Sequence, residues 1–456
     1  MESQRARLQE LVASGQVRLQ PLSFIQRELW ETSPVAPEDP SNHIRSFIDL
    51  KGPLTHELCM QAMRLVVARQ EVMRTSILPG KERPVQMIRA RSEPVVDYRA
   101  PDRTGIGDEE IIAMMEEGFR RPFDLVRGPL YRLQMVRRGP DHHALGLTIH
   151  HAIADGWTVT SFVEDLYTAC LSVFRESGRD MTKLHGKRDL LPPLAVTYSE
   201  WAASERARWR PAETLRHADY WVKRLEGVRP LFGGAPAGPE RLEQWVTDLP
   251  AELADAVRAT ARRCGVTLFG ALLAAFRLAL LQWRNADDVV VGTPVAGRAK
   301  SALKETMGSF SGIVPLRAKV GTHRPFEETV RITHEQAVED FTHAMPFVEL
   351  AAAVERRVPR VRHAVFDVRF AVQNHPFPGI EIAGMAPRLR NLSSGTSRFD
   401  IACELTEDGR KMELIWLHRP SAAACSEIED LDRLFRSVLE AGCRRASGQP
   451  RNSANN

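Results

Sequence analysis

The seven residues His150-His151-Ala152-Ile153-Ala154-Asp155-Gly156 constrain this chain more than any other stretch. An apolar run from Ala144 to Ile149 precedes them and reads as a strand. Behind them Val159, Phe162, Val163, Leu166, Tyr167, Cys170 and Phe174 recur at helical spacing, which predicts an amphipathic helix over about Trp157 to Arg175. Two histidines therefore stand at a strand end, with an aspartate and a glycine in the turn into a helix. Successive strand side chains point to opposite faces, so one histidine can face a cleft while the other packs into the body. A histidine pair alone is more often structural than catalytic. The aspartate and glycine at fixed distance carry the functional signal.

The same strand-and-helix grammar recurs along the chain. Residues 1–18 read as a short helical extension carrying Leu8, Leu11 and Val12, and Ser23 is a candidate N-cap for the next helix. Thr55 to Arg69 and Asp108 to Arg121 read as helices, and Tyr131 to Arg137 as a strand. Gly139-Pro140-Asp141 marks a turn, with His142 and His143 read as solvated turn residues. Arg175 to Asp189 is polar and basic, contains Gly178 and Gly186, and reads as a linker between two lobes, 19–185 and 186–445. One long helix is expected from Tyr198 to about Leu225. Further on, helices are expected over Ala251 to Cys264, Leu268 to Trp283, Phe326 to His343 and Cys425 to Ala441. Strands are expected over Leu242 to Asp248, Val365 to Gln373 and in a pair ending at Trp416, and residues 446–456 read as a disordered polar tail.

Several function classes are excluded. No apolar run reaches the roughly 20 residues of a membrane span, and the longest, Leu268 to Leu281, is interrupted by Arg277. Met1 to Arg18 lacks the apolar core of a signal peptide. The six cysteines form no C-x-x-C pair, which fits small core residues in a reducing cytoplasm. The formal charge of +4 is mild and no basic run is interleaved with aromatics, so neither nucleic acid nor membrane is an expected partner. No H-E-x-x-H occurs and no metal is expected. Gly308-Ser309-Phe310-Ser311-Gly312 has Phe where a nucleophile elbow needs Ser, so a covalent acyl-enzyme is not expected.

The full pattern H-H-x-x-x-D-G resembles the signature of the condensation-domain superfamily of nonribosomal peptide synthesis, related to chloramphenicol acetyltransferase. The continuation Asp155-Gly156-Trp157-Thr158 resembles its peptide-bond-forming branch. Pro21-Leu22-Ser23-Phe24-Ile25-Gln26-Arg27-Glu28-Leu29-Trp30 is similar to the family's first motif, P-L-S-x-x-Q-x-x-L-W. Arg69-Gln70-Glu71-Val72-Met73-Arg74-Thr75-Ser76-Ile77 resembles the second, departing at Gln70, Met73 and Ile77; its arginines are either surface residues or holders of a carboxylate. Tyr198-Ser199-Glu200-Trp201-Ala202 resembles the fourth, with Ser204 in place of its final tryptophan, and Asp287 to Arg298 is close to the family's D-D-V-V-V-G-T-P-V-A-G-R. Met307 to Arg317 aligns with the fifth, except that Ser311-Gly312 stands for the usual Val-Asn. The likeness spans about residues 19–443.

The resemblance implies two chloramphenicol-acetyltransferase-like α/β lobes in a V-shaped pseudo-dimer, each a mixed sheet flanked by helices. A floor loop is expected at about 292–312, with Trp157, Ser309, Ser311 and Gly312 lining the substrate tunnel. A latch is expected at about 376–397. Joining an acyl thioester to a nucleophile passes through a tetrahedral oxyanion. For an alcohol acceptor a base near neutral pKa contributes about 10²–10⁴ in rate, and imidazole fits. The family puts this role, or positioning of an amine, on His151, with His150 structural. Asp155 either orients His151 as a triad aspartate does or pairs with Arg298 to fix the turn, and the family favours the pairing. Gly156 either lets backbone approach the thioester arm or supplies a special φ.

The implied function is transfer of an acyl or aminoacyl group from a carrier-protein phosphopantetheine thioester to an alcohol or amine, giving an ester or amide in natural-product biosynthesis. No cofactor is bound, since the arm belongs to the carrier. With no adenylation or carrier segment after residue 443, the chain reads as a free-standing monomer, and similar enzymes include ester-forming ones of enediyne assembly. The alternatives are an acyl-CoA-dependent O- or N-acyltransferase of the same superfamily and a non-catalytic docking module. Relatives of the last kind usually lose the second histidine, which this chain keeps as His151.

Overall fold

The computed structural model describes residues 2–32, 42–80, 83–176, 191–229, 231–232, 241–298, 300–321, 323–357, 365–373, 387–392 and 399–444. The chain opens with α1 (Glu2–Ala13), β1 (Val17–Pro21), α2 (Phe24–Thr32), β2 (His43–Lys51), α3 (His56–Arg69), β3 (Thr75–Leu78), β4 (Val85–Arg89) and β5 (Val96–Arg99). It continues through α4 (Asp108–Arg120), β6 (Tyr131–Gly139), β7 (His142–His150), α5 (Gly156–Glu176), α6 (Tyr198–Arg208), α7 (Pro211–Arg224), β8 (Glu243–Leu249), α8 (Ala251–Cys264) and α9 (Leu268–Arg284). It ends with β9 (Val290–Val295), β10 (Gly312–Arg317), α10 (Phe326–Thr342), α11 (Phe347–Arg357), β11 (Val368–Gln373), β12 (Pro387–Leu392), β13 (Ile401–Asp408), β14 (Lys411–His418) and α12 (Cys425–Arg444). No single helix among the described residues is long and apolar enough to cross a membrane.

The first unit comprises residues 1–210, 296–311 and 375–394. Its larger sheet has the order β12-β2-β7-β6-β5, antiparallel except for the parallel β5–β6 pair, and β1-β4-β3 forms a second, small sheet. β7 lies inside the larger sheet, and its residues from Ala144 to Ile149 are buried, so the strand reads as a continuous apolar run. α3 and α5 pack on it through Leu58, Met63, Val66, Val159, Phe162, Val163 and Leu166, all in one core cluster. Thr55 starts α3 by accepting from Leu58 N at 3.1 Å, which satisfies a helix-end donor.

The second unit comprises residues 211–295, 312–374 and 395–456. Its sheet has the order β10-β9-β11-β13-β14-β8 and is mixed, because β11 runs parallel to both β9 and β13. α9 is its buried helix, capped by Thr267 and ended by Asn285 in the left-handed region. Arg277, which interrupts that apolar run, is buried and donates to the carbonyls of Val289 and Ala318. A buried guanidinium is tolerated because backbone oxygens replace its water.

Several expectations need correction. The helix expected from Tyr198 to Leu225 is two helices, because Pro211 has no N–H to continue α6 and instead opens α7, where none is needed. The unit boundary falls at that break rather than at 185/186, since α6 puts Tyr198 into the first unit's core. Two later segments, 296–311 and 375–394, also belong to the first unit. Residues 1–18 are not one extension: β1 follows α1 and pairs with β4 from Val17 to Pro21. His142 and His143 lie in β7, where His142 Nε2 is 2.7 Å from Asp49 Oδ1 and His143 is buried. Of the expected latch, β12 pairs antiparallel with β2, from Leu392 against Arg45 to Pro387 against Leu50. Of the linker expected over Arg175 to Asp189, the first two residues end α5; its remainder, the expected latch apart from 387–392, and the tail at 446–456 lie outside the described residues.

Candidate active site

β7 delivers the histidine pair. His150 is its last residue and His151 the first of a 3₁₀ turn, His151–Ile153. His150 is buried, against Phe123 and His43. Its Nδ1 accepts from Ala152 N at 3.0 Å, which places its ring proton on Nε2 and caps the turn. Burial pushes its imidazole down to about 3, and the neighbouring His43 and His151 add to that, so the ring is neutral. His151 is only partly buried. The turn that carries it is held again from α2: Gln26 Nε2 donates to Ala152 O at 3.0 Å. Gln26 is itself aligned by Ser23, whose N–H donates to Gln26 Oε1 at 3.0 Å.

Asp155 is fully buried. Its Oδ1 accepts from Thr158 N and lies 3.0 Å from Thr158 Oγ1. Its Oδ2 accepts from Arg298 Nη1, from Phe310 N at 3.1 Å and from Ser311 Oγ at 3.2 Å. These donors saturate a carboxylate with about four lone-pair sites. The carboxylate therefore ties the start of α5 to the 296–311 segment of the same unit, and no lone pair remains for an imidazole N–H. Arg298 also lies over the Phe310 ring, its guanidinium carbon 4.1 Å from the centroid.

Thr158 is a second hub. Its hydroxyl accepts from Gly308 N at 3.1 Å and lies 2.9 Å from Gly308 O. Its single proton serves either that carbonyl or Asp155 at one time. Trp157 Nε1 donates to Lys304 O at 3.0 Å, so the indole fastens the same segment. Two glycines permit the close approach. A Cβ on Gly297, whose φ is 63°, would lie 2.1 Å from Phe310 O, and one on Gly308 would lie 2.1 Å from Tyr198 Cδ2.

The first, fourth and fifth motifs meet at Tyr198. Its hydroxyl is 2.8 Å from Ser23 Oγ and donates to Ser309 O at 2.9 Å. Ser309 is buried, and it is its carbonyl that Tyr198 meets. The second motif holds the same segment. Arg69 Nη1 donates to Asp165 Oδ1 at 2.7 Å and Nη2 to Glu305, and Gln70 accepts from Met307 N at 3.0 Å. Arg74 donates to the carbonyls of Val67 and Arg89. Arg69 thus holds carboxylates and Arg74 caps backbone.

Gly156 is exposed and opens α5, and it is not among the glycines with positive φ, so the turn does not use it for a special φ. Gly312 belongs to the second unit as the first residue of β10. A Cβ there would meet only Val295 Cγ2, at 3.5 Å, so sterics do not require glycine. Gln26, Thr158 and Tyr198 were legible as motif residues without a role; their hydrogen bonds assign them to holding the histidine turn and the 296–311 segment.

A family model described as Condensation domain matches residues 16–449. A linear gramicidin synthase of Brevibacillus parabrevis is 29% identical over 400 residues, covering 85% of this chain and 8% of that protein. The chain likewise spans 36% of phosphinothricin tripeptide synthetase PhsC of Streptomyces viridochromogenes, at 29% identity over 401 residues. Among solved structures, the X-domain from teicoplanin biosynthesis matches with TM-score 0.80 and 21% identity, covering 93% of this chain and 95% of that one. That X-domain has also been solved in complex with OxyB. The first condensation domain of the calcium-dependent antibiotic synthetase, in complex with a substrate analogue, matches with TM-score 0.76 and 21% identity, covering 93% and 97%. These structural likenesses show the fold.

Proposed function

Since this chain belongs to the condensation-domain family, we propose that it is a condensing acyltransferase. It takes an acyl or aminoacyl group from the phosphopantetheine thioester of a carrier protein and passes it to the amine or alcohol of a small-molecule acceptor. The observation that carries this reading is the division of labour in the histidine turn. His150 is buried and neutral with Nδ1 committed to Ala152 N, and Asp155 is saturated, while His151 remains partly accessible on a turn pinned from two sides.

The nucleophile attacks the thioester carbonyl, a C–O or C–N bond forms, and the carbonyl oxygen takes the negative charge. The C–S bond then breaks and the thiolate leaves. The nucleophile's proton passes to His151 and on to the departing sulfur, so protons balance without an acyl-enzyme. With an alcohol His151 acts as base; with an amine, already nucleophilic when neutral, it mainly positions. Asp155, Arg298, Gln26 and Thr158 are positioning residues.

A second reading, a docking module, rests on the X-domain, which shares this fold and has been solved in complex with OxyB. A single-turnover mass assay decides. Acyl-loaded carrier proteins and the matching acyl-CoA are offered with a panel of amines and alcohols, using wild type and His151→Ala. Transfer from the carrier, lost in the variant, supports the condensing enzyme. Equal use of acyl-CoA overturns the carrier-protein donor, and no transfer from any donor supports docking.

A further inference from the structure

We propose that Glu243, His418 and Cys425 form a binding site for a zinc-like divalent metal ion in the second unit. The three residues come from the start of β8, the end of β14 and the first turn of α12. One ligand atom from each lies within 4.8 Å of the other two. The inference is independent of the acyl-transfer reading.

His418 is the central ligand of this site. It is cross-strand partner to Glu243, which puts the two side chains on one face of the sheet. It closes the buried row Met412, Leu414, Trp416 of β14, and the side chain is fully buried. Its Nδ1 is 2.9 Å from Ala423 O and can only donate there, which puts the ring proton on Nδ1. Nε2 is then a lone pair, has no hydrogen-bond partner among the described residues, and faces Glu243 Oε2 at 3.8 Å. A lone pair and a carboxylate oxygen repel across that distance unless a cation lies between them.

A backbone carbonyl on the other ring nitrogen is the usual way a ligating imidazole is oriented. Zinc bound at about 2.0–2.2 Å to nitrogen and oxygen in tetrahedral geometry separates those two atoms by about 3.4 Å, close to the spacing present here. Cys425 is partly buried and not in a disulfide, and it adds the soft ligand that selects zinc over magnesium or calcium. Glu243 has a side chain 53% exposed, which leaves an entry path and room for a water as fourth ligand. The alternative occupant is a proton on Nε2, giving an imidazolium beside Glu243.

Cobalt(II) and zinc(II) titrations of the full chain separate the two. A metal site gives a near-ultraviolet thiolate-to-cobalt charge-transfer band saturating at one equivalent and displaced by zinc. The band disappears in Cys425→Ser, and Glu243→Gln weakens affinity at least about tenfold. Zinc at a hundredfold excess over Kd raises the Tm of wild type by about 5 °C or more, and not that of Cys425→Ser. Both variants change side chains outside the packed core, so folding is retained, unlike a change at His418. Absence of the band, its survival in Cys425→Ser, or an equal zinc shift in variant and wild type overturns the proposal.

Discussion

Replacing Asp155 by asparagine tests whether this carboxylate is a structural clasp or part of the catalytic apparatus. The variant keeps the shape but removes the charge and exchanges one acceptor oxygen for a donor NH₂. With that NH₂ toward Thr158, it opposes the Thr158 N–H; turned the other way, it opposes Arg298, Phe310 N and Ser311. No rotamer satisfies both sides. The larger effect is on Arg298, whose side chain is 3% exposed beside an Asp155 that is 1% exposed. Leaving such a charge without its partner costs about 3–5 kcal/mol. For a unit of this size that lowers Tm by about 6–20 °C.

The assay is thermal and denaturant unfolding of Asp155→Asn, Arg298→Met and the double variant. Because the double variant removes both charges, it should be more stable than the sum of the singles by about 2 kcal/mol. His151→Ala should show the opposite pattern: unfolding unchanged and transfer lowered by about 10²–10⁴. Asp155 is not a structural clasp if Asp155→Asn melts within about 2 °C of wild type while transfer falls about 10⁴-fold. That result would return Asp155 to orienting the imidazole, as in a triad.

Three further outcomes follow from the same geometry. Burial holds His150 down to about 3 and His143 to about 4, against an ordinary 6.5 in the unfolded chain. The unfolded chain takes up protons first as pH falls, so their contribution is full above pH 6.5 and is lost progressively down to about pH 4 for His143 and about pH 3 for His150; His150→Asn, which still accepts from Ala152 N, should show a flatter Tm between pH 6.5 and about 3. Tyr198→Phe keeps the ring against Phe310 but removes the donor to Ser309 O, a loss of about 1–3 kcal/mol by chemical denaturation. Gly308→Ala forces a Cβ to 2.1 Å from Tyr198 Cδ2 and should cost more than about 2 kcal/mol, whereas Gly312→Ala should cost less than about 1 kcal/mol.

Much of the architecture was legible because it is local. The run from Ala144 to Ile149 is a strand because its position inside the sheet rewards apolar residues on both faces, and α5 follows from a 3.6-residue apolar stripe. Thr55 and Thr267 mark helix starts because a short hydroxyl reaches the N–H groups that a helix leaves unsatisfied. Pro211 is the local signal of the break between α6 and α7, since a proline that opens one helix also ends the continuity of the one before it. The His142–His143 pair looked like a turn because the Asp49 partner that accompanies His142 into the sheet lies far away in sequence.

The strand–turn–helix that presents His151 follows from local pattern, as do the motif residues around it. What those residues do depends on segments that meet only in the folded chain. Asp155 is saturated because Arg298, Phe310 and Ser311 arrive from a segment about 140 to 160 residues later in the chain. Ser309 offers its carbonyl because Tyr198 reaches it, and Arg69 pairs with Asp165 and Glu305 because helix packing brings three distant segments together. Glu243, His418 and Cys425 share no spacing a reader could recognise; sheet register and the start of α12 place them side by side. Periodicity records how a residue relates to its own helix or strand, whereas a hydrogen bond between distant segments depends on packing that no local pattern encodes.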